Sequence, residues 1–207
     1  MDITEIIAHQ HAEQRRMFAM LEEWPRDDHE GLAALWTRLE ILLETHAEGE
    51  EKYYYPELLA LGTGGADAES VDEEVVDAIK DHNDIRKATR KVGRCKTGSA
   101  AWWTAVTDAN VYNSNHMAEE ERQDLADFRQ QATLELRHEI ALKFIRYEAL
   151  KAATGITPTD KDPERYVAAN KRAPKSAVAK TAARKRAARP TRKAASKTAS
   201  KAAAESD

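Results

Sequence analysis

Seven histidines stand in the chain, at positions 9, 11, 29, 46, 82, 116 and 138, and four of them occupy places where the local pattern calls for an apolar side chain. His11 lies between Ile7 and Phe18, and His46 follows Leu39 and Leu43. His82 follows Val75 and Ile79, and His116 follows Ala109 and Tyr112. His46 and Glu50 are four residues apart, as are His116 and Glu120. On a helix that spacing sets both side chains on one face, one turn apart. A bare carboxylate in an apolar core is costly, so two of them facing four imidazoles call for cations between. Carboxylates can bridge two ions while imidazoles close the ends, a donor set that suits iron, zinc or manganese. One core histidine alone reads as an inert hydrogen-bonded residue, and one His-x-x-x-Glu as a surface pair. Two such pairs with two further core histidines in register are hard to reach by chance.

The remaining histidines read as ordinary. His29 falls near a helix N-terminus, His138 on a late helix, and His9 on a different face from His11. His138-Glu139-Ile140-Ala141-Leu142 lacks the second histidine of a zinc-protease helix. Glu135-Leu136-Arg137-His138 is a single Glu-x-x-His where ferritin-like bundles use two.

Positioning four histidines requires four helices. Apolar periodicity predicts them at roughly 2–24, 28–60, 70–93 and 99–133, with a further helix over roughly 135–153. The stripes are Ile3, Ile7, Phe18 and Leu21; then Leu32, Leu35, Trp36, Leu39, Leu42 and Leu43; then Val71, Val75, Ile79, Ile85 and Val92; then Trp102, Val106, Ala109 and Tyr112. The late helix carries Leu136, Ile140, Phe144 and Tyr147. Asp27-Asp28 offers a cap for the second helix, and Ser70 with Glu73 a capping box for the third. Short loops favour antiparallel neighbours. The expected fold is all-α, an antiparallel four-helix bundle with an extra C-terminal helix and a disordered basic tail. The histidines then lie at a similar depth, roughly 12 to 26 Å from one end at ~1.5 Å per residue.

The net charge of −4 conceals a division. Lys171 to Lys201 holds twelve Lys or Arg and no Asp or Glu, which leaves residues 1–170 at −14. The expected organisation is a metal-binding domain over 1–157, a linker over 158–170 and a tail over 171–207. The tail lacks the apolar surface to offset ordering, and its cations suit nonspecific contact with DNA phosphates. Its lysine- and alanine-rich composition is similar to that of linker histones. No apolar run reaches 18 residues, so no membrane span is expected. The lone Cys95 and the absence of a secretory leader pattern point to the cytoplasm, with the nucleoid as an address if the tail meets DNA.

His46-Ala47-Glu48-Gly49-Glu50 followed by Tyr55-Pro56-Glu57-Leu58 resembles the most specific motif of the hemerythrin-like, or HHE cation-binding, family. His116-Met117-Ala118-Glu119-Glu120 resembles its second His-x-x-x-Glu, His11 with Phe18 its first-helix motif, and Asp81-His82-Asn83-Asp84-Ile85-Arg86 its third-helix motif. The resemblance spans roughly residues 2–150. It implies two non-haem irons, oxo-bridged, held by His11, His46, Glu50, His82, His116 and Glu120, with both glutamates bridging. Oxygen-carrying members have seven protein ligands, including two third-helix histidines one turn apart. Here Ala78 and Arg86 stand one turn from His82. That departure implies an open coordination position, which favours reaction over reversible carriage. Glu51 or Glu119 could substitute, but their spacing does not favour it.

The implied function is binding of, or reaction with, O2, hydrogen peroxide or nitric oxide, including catalase-like turnover of peroxide. The alternatives are a non-catalytic iron or oxygen sensor or iron-handling module, and a nucleoid-associated protein with a structural bundle. Tyr53 and Tyr54 read either as hydrogen-bond donors to a bound ligand or as amphipathic core residues. Trp102 and Trp103 read as packing. Cys95, flanked by Arg94 and Lys96, sits where its thiol pKa would be lowered, without a clear redox role.

Overall fold

The computed structural model describes residues 1–64 and 70–171. Four long helices form the frame: α1 (Ile3–Glu23), α2 (His29–Gly49), α4 (Val71–Val92) and α5 (Ala100–Arg122). α1 packs on α2 and α5, and α4 packs on α5 and α2, so the four close into a ring. A π-helical turn, Glu50–Tyr54, joins α2 to the short α3 (Tyr55–Leu61). Beyond α5 come α6 (Asp124–Gln131), α7 (Leu134–Thr154) and α8 (Pro163–Asn170). The described residues contain no strand. Among them no helix is long and apolar enough to cross a membrane. The basic tail lies, apart from Lys171, outside the described residues.

Helix starts follow local chemistry. Asp28 accepts from the Gly31 amide at 2.9 Å, and the Ser70 hydroxyl accepts from the Glu73 amide at 3.3 Å. Asp2 caps α1 through the Thr4 amide at 3.0 Å, and Ser99 caps α5 through the Trp102 amide at 3.2 Å. Each satisfies an amide that a helix start leaves unpaired.

Two apolar clusters divide the interior. One gathers Ile3, Ile7, Tyr54, Leu58, Val75, Ile79, Phe128 and Phe144. The other gathers Phe18, Leu21, Trp36, Leu39, Leu43, Ile85, Trp102 and Val106. Trp102 and Trp103 pack edge to face at 4.7 Å, and half-buried Cys95 lies against the same cluster. On α1 and α4 the core histidine falls between a residue of one cluster and a residue of the other, so the bundle carries a polar layer between two apolar ones.

Four sequence expectations are corrected. The second helix does not run unbroken to 60. Pro56 has no amide to donate to the Lys52 carbonyl, and its ring crowds that carbonyl; the chain takes the wider π turn just before it. The fourth helix is distorted at Gln123 (φ −111°, ψ −75°). Gln123 still donates to the Glu119 carbonyl and accepts from Asp127, each at 2.9 Å, so no helix-breaking residue marks the place. Tyr112 is exposed, and Asn113 takes the inward place, four residues after Ala109, donating to Gln14 at 3.0 Å. Finally, 158–170 is more than a connector. α8 buries Tyr166 and Val167, Asp160 pairs with Arg90 through two 2.9 Å hydrogen bonds, and Asn83 Nδ2 donates to the Lys161 carbonyl at 2.6 Å.

Gly49 is required by packing. A Cβ there would lie 2.7 Å from the buried Phe144 ring, which itself packs edge-on against the His46 imidazole. Gly49→Ala is expected to lower the unfolding free energy by about 1–3 kcal/mol in denaturant titration, the usual cost of overpacking a core. A smaller ring-free side chain, Phe144→Leu, should relieve part of it.

Candidate metal centre

All six residues singled out from sequence meet in the polar layer. His11, His46, Glu50, His82, His116 and Glu120 are each at least 97% buried. The imidazoles form two facing pairs: His11 Nε2 lies 3.1 Å from His46 Nε2, and His82 Nε2 lies 3.1 Å from His116 Nε2. Glu50 spans both pairs, with Oε1 2.9 Å from His46 Nε2 and Oε2 3.3 Å from His82 Nε2. Glu120 Oε2 lies 3.2 Å from His11 Nε2 and 3.9 Å from His116 Nε2. Two clusters with metal-ligand spacing result, His11–His46–Glu50–Glu120 and Glu50–His82–His116, and they share Glu50.

The outer nitrogens explain the orientation. His46 Nδ1 is 2.6 Å from Gln10 Oε1, His82 Nδ1 is 2.9 Å from Glu51 Oε1, and His11 Nδ1 is 3.0 Å from Glu121 Oε1. His116 Nδ1 faces Asp81 Oδ2 at 3.7 Å. The first three oxygens accept, so each favours a proton on Nδ1 and a lone pair on Nε2, while the Asp81 carboxylate faces His116 from beyond hydrogen-bond distance. Two lone pairs 3.1 Å apart repel one another unless a cation lies between. An ion about 2.0–2.1 Å from each nitrogen, the distance zinc takes to imidazole, fits that gap. Glu50 Oε1 and both oxygens of Glu120 are buried and accept no hydrogen bond within the protein. Buried carboxylate oxygens left this way are what a metal would satisfy.

Without metal, protons balance the charge. Burial pulls the His11 imidazole down, but Glu120 and Glu121 outweigh it and push it up to about 9. Burial likewise opposes the charge on His82, and Glu50 and Glu51 outweigh it, again to about 9. Burial would raise the Glu51 carboxyl, yet His82 and Arg86 hold it at about 2. Glu50 is lowered further by His46 and His82 against its own burial. An imidazole raised in the folded state stabilises it fully below 6.5 and loses that contribution as pH rises through 9. The lowered carboxylates contribute above 4.5 and lose it as pH falls through 2. The metal-free protein is therefore expected to lose melting temperature between pH 6.5 and 9. Metal would displace both protons, so the loaded protein should show no such fall. Parallel melting curves for the two forms across that range would contradict the assignment.

Several functional neighbours were not picked out from sequence. The Tyr55 hydroxyl is 3.4 Å from both Glu50 Oε2 and His82 Nε2. The π turn causes this, because Tyr55, five residues after Glu50, donates its amide to the Glu50 carbonyl and so stacks above it. Tyr54 is buried against Phe128, with no hydrogen bond to its hydroxyl. Tyr53 is half-buried beside Tyr147. Glu51 is not placed in either metal-ligand cluster and instead meets the outer nitrogen of His82, Arg86 Nη1 at 2.9 Å, and the Lys161 ammonium. Tyr166 donates to the Glu51 carbonyl. Glu119 lies on the exposed side of α5, and His9, His29 and His138 are exposed.

A search of curated proteins and of solved structures returned no match. The family profile described as the hemerythrin HHE cation binding domain matches residues 2–127. That span is more than half of the chain and contains all six buried ligand candidates together with the frame α1, α2, α4 and α5 that converges them, so the chain belongs to the hemerythrin HHE cation-binding domain family.

Proposed function

We propose that the bundle holds two non-haem irons and that the loaded centre binds or turns over O2, hydrogen peroxide or nitric oxide. The observation that supports this most is the convergence of four Nε2 atoms in two facing pairs joined by Glu50. His11 and His46 with Glu120 would hold one ion, His82 and His116 the other, and Glu50 both. Iron bound there would supply the redox change and Lewis acidity such chemistry needs. The protein's own part is orientation and exclusion of water. Gln10, Glu51 and Glu121 hold three of the rings and the Asp81 carboxylate faces the fourth, while the two apolar clusters close the layer above and below. Burial keeps the Tyr55 hydroxyl protonated, so it remains a donor beside Glu50 and His82.

At the positions one turn from His82, Ala78 has no donor and Arg86 is already paired with Glu44 and Glu51. Six protein ligands then leave room for a small molecule. In its catalytic form the reaction is disproportionation of two hydrogen peroxide molecules to two waters and one O2. An oxygen electrode on the iron-loaded protein tests this. Many O2 released per chain, lost in the Glu50→Ala variant, supports an enzyme; stoichiometric consumption alone leaves a sensor or iron-handling module. A sensing role draws on a further observation, since Glu51 links His82 to Lys161 and Tyr166, just before the Lys/Arg run begins at Lys171. That run would contact nucleic acid without base reading. Removal of residues 172–207 should abolish low-salt DNA binding, and unchanged affinity would refute it.

A further inference from the structure

Three cavities approach the polar layer, and their chemistry differs. The first, about 250 Å³, lies against α4 on one side and α5 with the start of α6 on the other. Its lining carries six carboxylates, those of Glu74, Asp77, Asp81, Glu119, Glu120 and Asp124, against one guanidinium, Arg122. It reaches His116 and Glu120, two of the ligand candidates, and passes over Ala78. The second, about 430 Å³, sets Arg15 and Arg129 against Glu121 and touches none of the six. The third, at His82 and Arg86, is about 10 Å³, too small for a hydrated ion.

We propose that divalent metal cations enter the buried centre through the first, acidic cavity. This rests on the metal-binding reading above and adds its route. Two observations converge. Glu120 is 2% exposed, lines the cavity, and has two carboxylate oxygens that accept no hydrogen bond. Room beside it exists because position 78, one turn before His82, carries only a methyl group. An entering hydrated cation exchanges water for carboxylate oxygen in steps. The exposed Glu119 attracts it at the mouth with Asp77, whose carboxylate also pairs with Lys80 at 2.8 Å; Asp124 stands 95% buried along the wall, and Glu120 receives it. A cleft with a strong excess of one charge sign raises the encounter rate of the opposite ion. The same field disfavours anions.

The test is metal uptake by the metal-free full-length protein mixed with Co2+, quenched with chelator at timed intervals, and assayed for bound cobalt. Asp77→Asn/Glu119→Gln should load about tenfold more slowly than wild type at low ionic strength. The difference should shrink at high salt, and the final cobalt content should equal that of wild type. Ala78→Leu should slow loading at both salt levels, because its obstruction is steric. Glu22→Gln/Glu23→Gln removes the same charge from an exposed stretch of α1 and should load as wild type does. If the pocket pair loads at the rate of the α1 pair, or Ala78→Leu loads at the wild-type rate, the route is wrong. If wild type retains no cobalt at equilibrium, the metal-binding reading itself fails, and the route with it.

Discussion

Glu50→Ala is expected to reduce the iron content of the purified protein from the two ions proposed to fewer than one per chain. Both oxygens of this side chain face a ligand nitrogen, one in each imidazole pair, so its loss removes a donor from both positions together. His116→Ala removes a donor from one pair and should leave one ion in place. Glu51→Gln acts one shell out. It keeps an acceptor near His82 Nδ1 but removes the charge that holds the proton there, and its effect should stay within the about 10–100-fold in affinity typical of outer-shell changes. Metal analysis after gel filtration ranks the three. If Glu50→Ala retained two ions per chain, Glu50 would not be the shared ligand.

Arg86→Ala is expected to cost about 3–5 kcal/mol of stability, the penalty for breaking a buried ion pair from one side. The guanidinium is 1% exposed, with Nε 3.0 Å from Glu44 Oε2 and Nη1 2.9 Å from Glu51 Oε1. Without it buried Glu44 loses the cation it pairs with and Glu51 keeps only Lys161, and Glu44, already raised by burial, would rise further. For a chain of this size the melting temperature should fall by on the order of 10 °C. The double variant Arg86→Met/Glu44→Leu should be less destabilised than Arg86→Ala, because one stranded charge goes with the guanidinium. If Arg86→Ala melted with wild type, the network around Glu51 would be incidental to the fold. Arg86 also has a bearing on the centre. It stands one turn from His82, in a place suited to another ligand, and lends positive charge to Glu51 behind that histidine.

The six ligand candidates were legible because their pattern is written along single helices. His46–Glu50 and His116–Glu120 each keep a four-residue spacing, and His11 and His82 interrupt apolar stripes. Helical periodicity reports which face a residue occupies. It does not report which residues of another helix lie behind that face. Gln10, Glu51 and Glu121 as supports for imidazole Nδ1 atoms, and Asp81 facing His116, are therefore invisible, although all four directly adjoin a ligand candidate in sequence. Tyr55 escaped for another reason. Four-residue counting from Glu50 points to Tyr54, and the π turn shifts the register by one residue. Pro56 was the available signal, since a proline inside a helical pattern forbids the ordinary bond to the residue four before it. α8 reads as linker in the sequence because its eight residues, with Glu164 and Arg165 among few large apolar ones, carry little apolar periodicity. Its docking depends on two buried side chains, Tyr166 and Val167, and on polar contacts to α4 and Glu51.

The most direct measurement of the central claim is anomalous diffraction at the iron edge from crystals of protein loaded anaerobically with Fe2+. Two peaks per chain are expected, one between His11 and His46 and one between His82 and His116, with Glu50 touching both. No peak in the polar layer, or a single peak elsewhere on the bundle, would contradict it.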